Sequence, residues 1–243
     1  EKEMKKHAKE KNYEQAAGLR NQLFALKNLK KNVLFSREEF MDLSRDTALK
    51  GLAELIGAKM PLKRIEGFDI SHMGGTDTTA SMVVFSNGFP DKSKYRKFKM
   101  HASGNDDFAH MREVINRRLG PRNIKSWGVP DLILIDGGKG QLSSAIESRN
   151  SRGFGMPMIG LAKKEEEIII ENTLLKESKL PDDAMIKRSE KYSSVLLGVN
   201  NDIVKLLQRI RDESHRFAVS YHASLKSGRQ NQSPLDQIPG IGP

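Results

Sequence analysis

The sequence predicts an α/β protein in which a mixed sheet is flanked by helices and preceded by a short helical hairpin. Three observations point there. Leu132-Ile133-Leu134-Ile135-Asp136-Gly137-Gly138, introduced by Pro130 and Asp131, reads as a short buried strand that ends on a carboxylate. Arg64 to His72 reads as a second strand, with Asp69 set inside an apolar run. Short strands joined by glycine-bearing turns come first, and helical stripes alternate with strands afterwards.

Residues 1–32 read as a separate helical hairpin. Asn12 and Gln15 form a capping-box pattern, and Ala16, Leu19, Leu23 and Leu26 share one helical side. So small a unit buries little area alone and calls for a partner, either another chain or the rest of this one. Residues 33–60 read as a linker carrying a helix at 38–57, marked by Phe40, Leu43, Leu52 and Leu55 and stopped at Gly57. The main domain is expected over 61–226. It opens with strands at Arg64 to Ile70, Thr78 to Phe85 and Tyr95 to Met100, turning at Gly74-Gly75 and Asn87-Gly88. Next comes a helix with Phe108, Met111, Ile115 and Leu119 inward and Arg112, Arg117 and Arg118 outward. The 132–136 strand, a helix near Gln141 to Arg149 and a strand at Met158 to Ala162 follow. Residues 163–200 are charged, with Glu165 to Ile170 as a final strand. A long helix from Asp202 to Lys226 carries Ile203, Leu206, Leu207, Ile210, Ser214, Phe217 and Tyr221 on one stripe. Residues 227–243 read as a flexible polar tail.

The 243 residues hold 41 Lys plus Arg against 31 acids, a formal charge of +10. That excess suits a polyanionic partner, most simply nucleic acid, although an ordinary basic surface also fits. Without cysteine there is neither a disulfide frame nor a thiolate metal site. No apolar run approaches a membrane span, and the charged first ten residues do not resemble a signal peptide. A soluble cytoplasmic protein with no membrane partner is expected. The chain lacks an initial Met and ends on Ile238-Pro239-Gly240-Ile241-Gly242-Pro243, which suggests a fragment.

Three meandering strands, then helix, strand, helix, strand and a C-terminal helix is the order of a ribonuclease H-like fold. Such a fold brings together carboxylates from its first and fourth strands, here Asp69 and Asp136. Paired carboxylates suit Mg²⁺ or Mn²⁺, which can activate water and stabilise a departing oxygen in phosphodiester cleavage. Either aspartate could instead serve a strand end or turn. Gly137-Gly138-Lys139-Gly140 lacks phosphate-loop spacing, with Gln141 where a hydroxyl belongs. His215 lies off the apolar stripe, on a flank with Gln208, Arg211 and His222. It fits a metal ligand, a proton handler or a solvated histidine. Lys205, Arg209 and Arg216 share a face suited to backbone phosphates. Of Asp106 and Asp107, one suits an N-cap and the other an additional carboxylate.

Phe68-Asp69-Ile70-Ser71-His72, Met111-Arg112-Glu113-Val114, the block Pro130 to Gln141, Leu161 to Glu167 and Leu207 to Ala218 resemble, in order, the UvrC family of bacterial nucleotide excision repair. Asn12 to Arg20 resembles that family's UVR motif, and Ile238 to Gly242 the first loop of its helix-hairpin-helix DNA-binding domain. The resemblance implies a metal-dependent endonuclease that cuts damaged double-stranded DNA 5′ to the lesion, with the hairpin docking UvrB. It implies catalytic roles for Asp69, Asp136, His215 and Asp107, with Asp69, Asp136 and His215 as metal ligands. Arg112, Lys139, Arg209, Arg211 and Arg216 are the candidate DNA contacts. The family's GIY-YIG nuclease domain is absent from this chain, and the stretch Asn172 to Val204 is longer and more charged than usual. The rival reading is a non-catalytic DNA-binding or UvrB-docking adaptor.

Overall fold

The computed structural model describes residue 15 and residues 44–230, apart from 59–60, 74–76, 102–105, 164, 176–178, 182–183 and 199. The N-terminal hairpin, the Gly74-Gly75 turn and the closing Ile238 to Gly242 lie outside the described residues. The chain divides into two units, Glu1–Asp46 and Thr47–Pro243. The second carries the sheet.

Among the described residues, that unit is built on one sheet of nine strands. β1 (Arg64–Met73) pairs antiparallel with β2 (Asp77–Ser86), which carries the two-residue β3 (Phe89–Pro90) and β4 (Arg96–Lys99) along its other side. β1 also pairs parallel with β5 (Leu132–Asp136), and β5 with β6 (Met158–Ala162). β7 (Glu167–Glu171), β9 (Tyr192–Leu196) and β8 (Met185–Arg188) extend the sheet antiparallel. The helices are α1 (44–55), α2 (Asp107–Arg118), α3 (Pro121–Trp127), α4 (Lys139–Ser151), the single turn α5 (Asn172–Leu175) and α6 (Asp202–Gln230). Strand order β2-β1-β5-β6 with β1, β5 and β6 parallel is the mixed sheet expected of a ribonuclease H-like fold. None of the described helices is long and apolar enough to cross a membrane.

Several elements differ from the sequence reading. Helix α1 belongs to the domain rather than to a linker, because Ala48, Leu52 and Leu55 are buried in its core. The charged 163–200 stretch supplies three strands instead of one. β7 is anchored by buried Ile168, Ile169 and Ile170, and β9 by Val195 with Ser193 and Ser194. Ser193 meets its burial by donating to Asn172 Oδ1 at 2.6 Å. Helix α6 continues past Lys226 to Gln230, into the stretch read as a tail.

Arg118 is the plainest correction, because it points inward and is fully buried. Its Nε donates to Glu66 Oε2 at 2.8 Å and its Nη2 to Glu66 Oε1 and to the Gly128 carbonyl, both at 2.7 Å. Arg64 Nε adds a bond to Glu66 Oε1 at 2.8 Å. A charge-assisted fork between two buried side chains offsets much of the penalty of burying both charges, although Arg118 Nη1 is left without a hydrogen-bond partner.

Strand alternation sorts β1 into two faces. Glu66 looks toward α2, whereas Gly67 lies under α6. A Cβ at Gly67 would stand 2.5 Å from Ile210 Cγ2, so the helix seats directly on the strand only because position 67 has no side chain. Gly67→Val should therefore cost about 1–3 kcal/mol by overpacking. Urea unfolding checks this, and an unchanged midpoint would contradict such close seating.

Candidate active site

The register of β1 and β5 sets Phe68 opposite Ile135. The next residues along, Asp69 and Asp136, therefore fall level on neighbouring parallel strands, whose spacing is about 4.8 Å. Both are nearly buried, at 5 % and 7 % exposure. Burial raises both carboxyls above the ordinary carboxylate range. The charge of Asp69 raises Asp136 further. Opposing this, Ser71 Oγ donates to Asp69 Oδ2 at 3.2 Å, and His215 Nδ1 stands 3.6 Å from the same oxygen. Lys163 Nζ lies 3.7 Å from Asp136 Oδ2. Asp136 Oδ1 is buried with no hydrogen-bond partner.

The glycines after Asp136 serve close packing. A Cβ at Gly137 would strike Gln141 Oε1, and one at Gly160 would stand 2.9 Å from the Gly137 carbonyl oxygen. These contacts seat β5 tightly against β6 and α4. Because Asp136 pairs with Leu161, the chain leaving β6 passes beside the carboxylates, which is how Lys163 and Glu166 reach the site. Sequence reasoning gave neither of them a role, although both sit in the quoted block Leu161 to Glu167, and that adjacency was the available signal.

Glu166 adopts a left-handed backbone, φ 54°, uncommon for a residue with a side chain. Its carboxylate is gripped by Arg211 Nη1 at 2.6 and 2.7 Å. Arg211 sits one turn before His215 on α6, so this ion pair ties the loop bearing Lys163 to the helix bearing His215. Asp136, Lys163, Glu166, Arg211, His215 and Arg216 line a cavity of about 770 Å³.

The structure thus brings Asp69, Asp136, His215 and Arg211 together. Among the described residues, however, no three His, Asp or Glu side chains form a group able to hold a metal. The His215 ring turns Nδ1 to Asp69 and stays largely exposed. The aspartates alone still suit a hard divalent cation that keeps most of its water, and the unsatisfied Asp136 oxygen is free to accept one.

Asp107 is placed differently. It pairs with His72 Nε2 at 2.6 Å and accepts from Gln141 Nε2 at 3.4 Å. His72 alternates with Asp69 along β1, so its bond to Asp107 lies on the α2 face of the strand. Asp106, not Asp107, caps α2, accepting from the Phe108 and Ala109 amides. Of the proposed DNA contacts, Arg112 pairs with Glu147, Lys139 donates to Ser189 Oγ and Arg216 pairs with Glu213. Arg209 is exposed on α6.

Residues 53–219 match the family described as UvrC RNase H endonuclease domain, and residues 1–29 match the UvrB/UvrC motif. The chain is 40 % identical over 218 residues to UvrABC system protein C of Thermotoga petrophila, covering 90 % of this chain and 34 % of that protein. It is 42 % identical over 203 residues to the Dehalococcoides mccartyi protein of the same name, covering 81 % and 30 %. The chain therefore spans about a third of the length of these curated relatives. Among solved structures, Ciona intestinalis endonuclease V bound to inosine-containing DNA matches with TM-score 0.42 and 13 % identity, covering 80 % of this chain and 99 % of that one.

Proposed function

Because this chain belongs to the UvrC family through its RNase H endonuclease domain, we propose that it is the divalent-metal-dependent nuclease of nucleotide excision repair that cuts damaged double-stranded DNA 5′ to the lesion. Its UVR motif, residues 1–29, would dock UvrB. The level placement of two buried aspartates, one with an oxygen lacking a partner, is the observation that carries this reading. It also favours catalysis over a purely docking role, since an adaptor has no use for two crowded carboxylates.

Asp69 and Asp136 would hold Mg²⁺ or Mn²⁺. Such an ion supplies activated water and charge stabilisation for phosphodiester cleavage. With Nδ1 turned toward Asp69 Oδ2 at 3.6 Å, His215 would use Nε2 to exchange a proton with the reacting groups. Lys163 and Arg211 keep the pair from excess negative charge before substrate arrives. Arg209 and Arg216 on α6, with Arg112 on α2 and Lys139 on α4, are the proposed contacts to phosphate, while Arg211, held by Glu166 and Asp212, positions the site. Asp107 would act from a distance, through Gln141 and the Gly137 backbone.

The reading is tested by incision of a lesion-bearing duplex after chelation of divalent ions and their return. Incision should vanish with chelator and recover with Mg²⁺ or Mn²⁺. Cutting that persists in excess chelator sinks the metal-dependent reading.

The Glu166–Arg211 pair should position rather than bind. In Glu166→Gln, kcat is expected to fall about 10–100-fold, as for groups that orient a metal's ligands, with KM for DNA little changed. Arg211→Gln should lower kcat by a similar factor, since either substitution breaks the same contact between Arg211 Nη1 and the two Glu166 oxygens. A change confined to KM would instead make the pair a substrate contact.

A further inference from the structure

A second cationic cavity lies on the other face of the sheet. It has a volume of about 520 Å³ and is lined by Asn116, Arg117, Arg122, Asn123, Trp127 and Arg152 among others, with no acid among its described lining residues. Arg152 donates to the neutral Asn116 side chain. Arg117 is shared between the Lys99 carbonyl and Glu113, while Arg122 is exposed on α3. Trp127, the chain's single tryptophan, is held at one wall by Phe98, with ring centroids 6.2 Å apart, and by Arg96, 5.1 Å from its centroid.

Strand register relates this cavity to the aspartates. Asp69 pairs with Ser81 and Ser81 with Lys97, so Lys97 is level with Asp69 and shares its face, two strand spacings or about 10 Å away. Its Nζ lies 4.2 Å from the centroid of Phe217 on α6. The flanking β4 residues Arg96 and Phe98 project to the opposite face, where they meet Trp127. β4 therefore forms a basic rim that turns from the aspartate side to the arginine cavity. Lysines alone could simply protect an edge strand. A protective edge does not call for a cavity, acid-free among its described lining residues, that sets exposed Arg122 and Arg152 beside the Trp127 ring.

Guanidinium forks match phosphate oxygens, and an aromatic face stacks on an unpaired base whatever its identity. The volume falls within the range of ligand sites. We propose that this cavity binds a phosphate-and-base unit of single-stranded nucleic acid, holding a strand that leaves the cleavage site around β4. The proposal rests on the DNA-cutting reading but uses residues apart from it.

The lone tryptophan makes the test direct. Fluorescence of this 243-residue chain is titrated with a single-stranded oligothymidylate, the same-length duplex, inorganic phosphate and a polyglutamate peptide. Saturable quenching by the single strand is expected, with at least tenfold weaker binding in Arg122→Gln/Arg152→Gln. Two lost phosphate contacts should also lower the slope of log K against log salt by about 1.4. The Asp136→Asn chain should keep the wild-type quench, so failure of the cavity and failure of the cleavage reading give different patterns. The proposal is overturned by an unquenched signal, by unchanged affinity and salt slope in the double variant, by equal response to inorganic phosphate, or by preference for polyglutamate.

Discussion

The Asp136→Asn chain is expected to lose incision by about 10³-fold or more, a barrier increase of about 4 kcal/mol, while becoming more stable than wild type without metal. Loss follows because an amide cannot offer a divalent cation the anionic oxygen it needs. The stability gain follows from burial and from Asp69, which together raise the Asp136 carboxyl. A carboxyl whose folded-state value is raised binds its proton more readily folded than unfolded. Metal-free wild type therefore loses stability as pH climbs through the interval above the ordinary value of 3.8. Near neutral pH the asparagine should add on the order of 1 kcal/mol, or about 2–4 °C for a domain of this size. That advantage should shrink on acidification, as the wild-type carboxyls take up protons. Mg²⁺ or Mn²⁺ should raise the melting temperature of wild type but not of the variant. Thermal melts across pH, with and without metal, check each sign. A variant less stable than wild type at neutral pH would contradict the crowding of the two carboxylates.

The second large effect lies away from the chemistry. Glu66→Ala should destabilise the domain by about 3–5 kcal/mol, the cost of leaving a buried guanidinium without its partner. Arg118 has no exposure, and Glu66 is the only acid among the described residues that it pairs with. Replacing both members, as Glu66→Leu/Arg118→Met, should recover much of the loss, since an apolar pair of similar volume avoids the stranded charge. Denaturant unfolding of the single and double variants measures this. A single-variant cost below about 1 kcal/mol would mean that water reaches the pair.

Both aspartates and the strands that carry them were legible in the sequence, because β1 and β5 are short apolar runs in which a carboxylate stands out. The α6 stripe was legible because its buried face is apolar at a regular period. Arg118 was not, since helical periodicity sorts residues by polarity and assigns any arginine to water. Its partner is 52 positions away, a distance that local pattern does not reach. β8 and β9 were hidden for a related reason, because the buried serines of β9 break the apolar alternation that marks a half-buried strand. At the site, His215 was legible from its helical flank. The company Asp107 keeps depends on which face of β1 His72 takes, and that is set only by pairing with β2 and β5. The bond between Glu166 and Arg211 joins positions 45 apart and needs the β6–β7 turn to be closed first.

Asp69 and Asp136 are expected to cut one strand, on the 5′ side of a lesion. Position-resolved incision of a duplex with a single defined lesion, by the full-length protein with its loading partners, tests it most directly. In Asp69→Asn and in Asp136→Asn the 5′ cut should disappear while the 3′ cut continues at the wild-type rate. A 5′ cut that persists in either variant would contradict the claim.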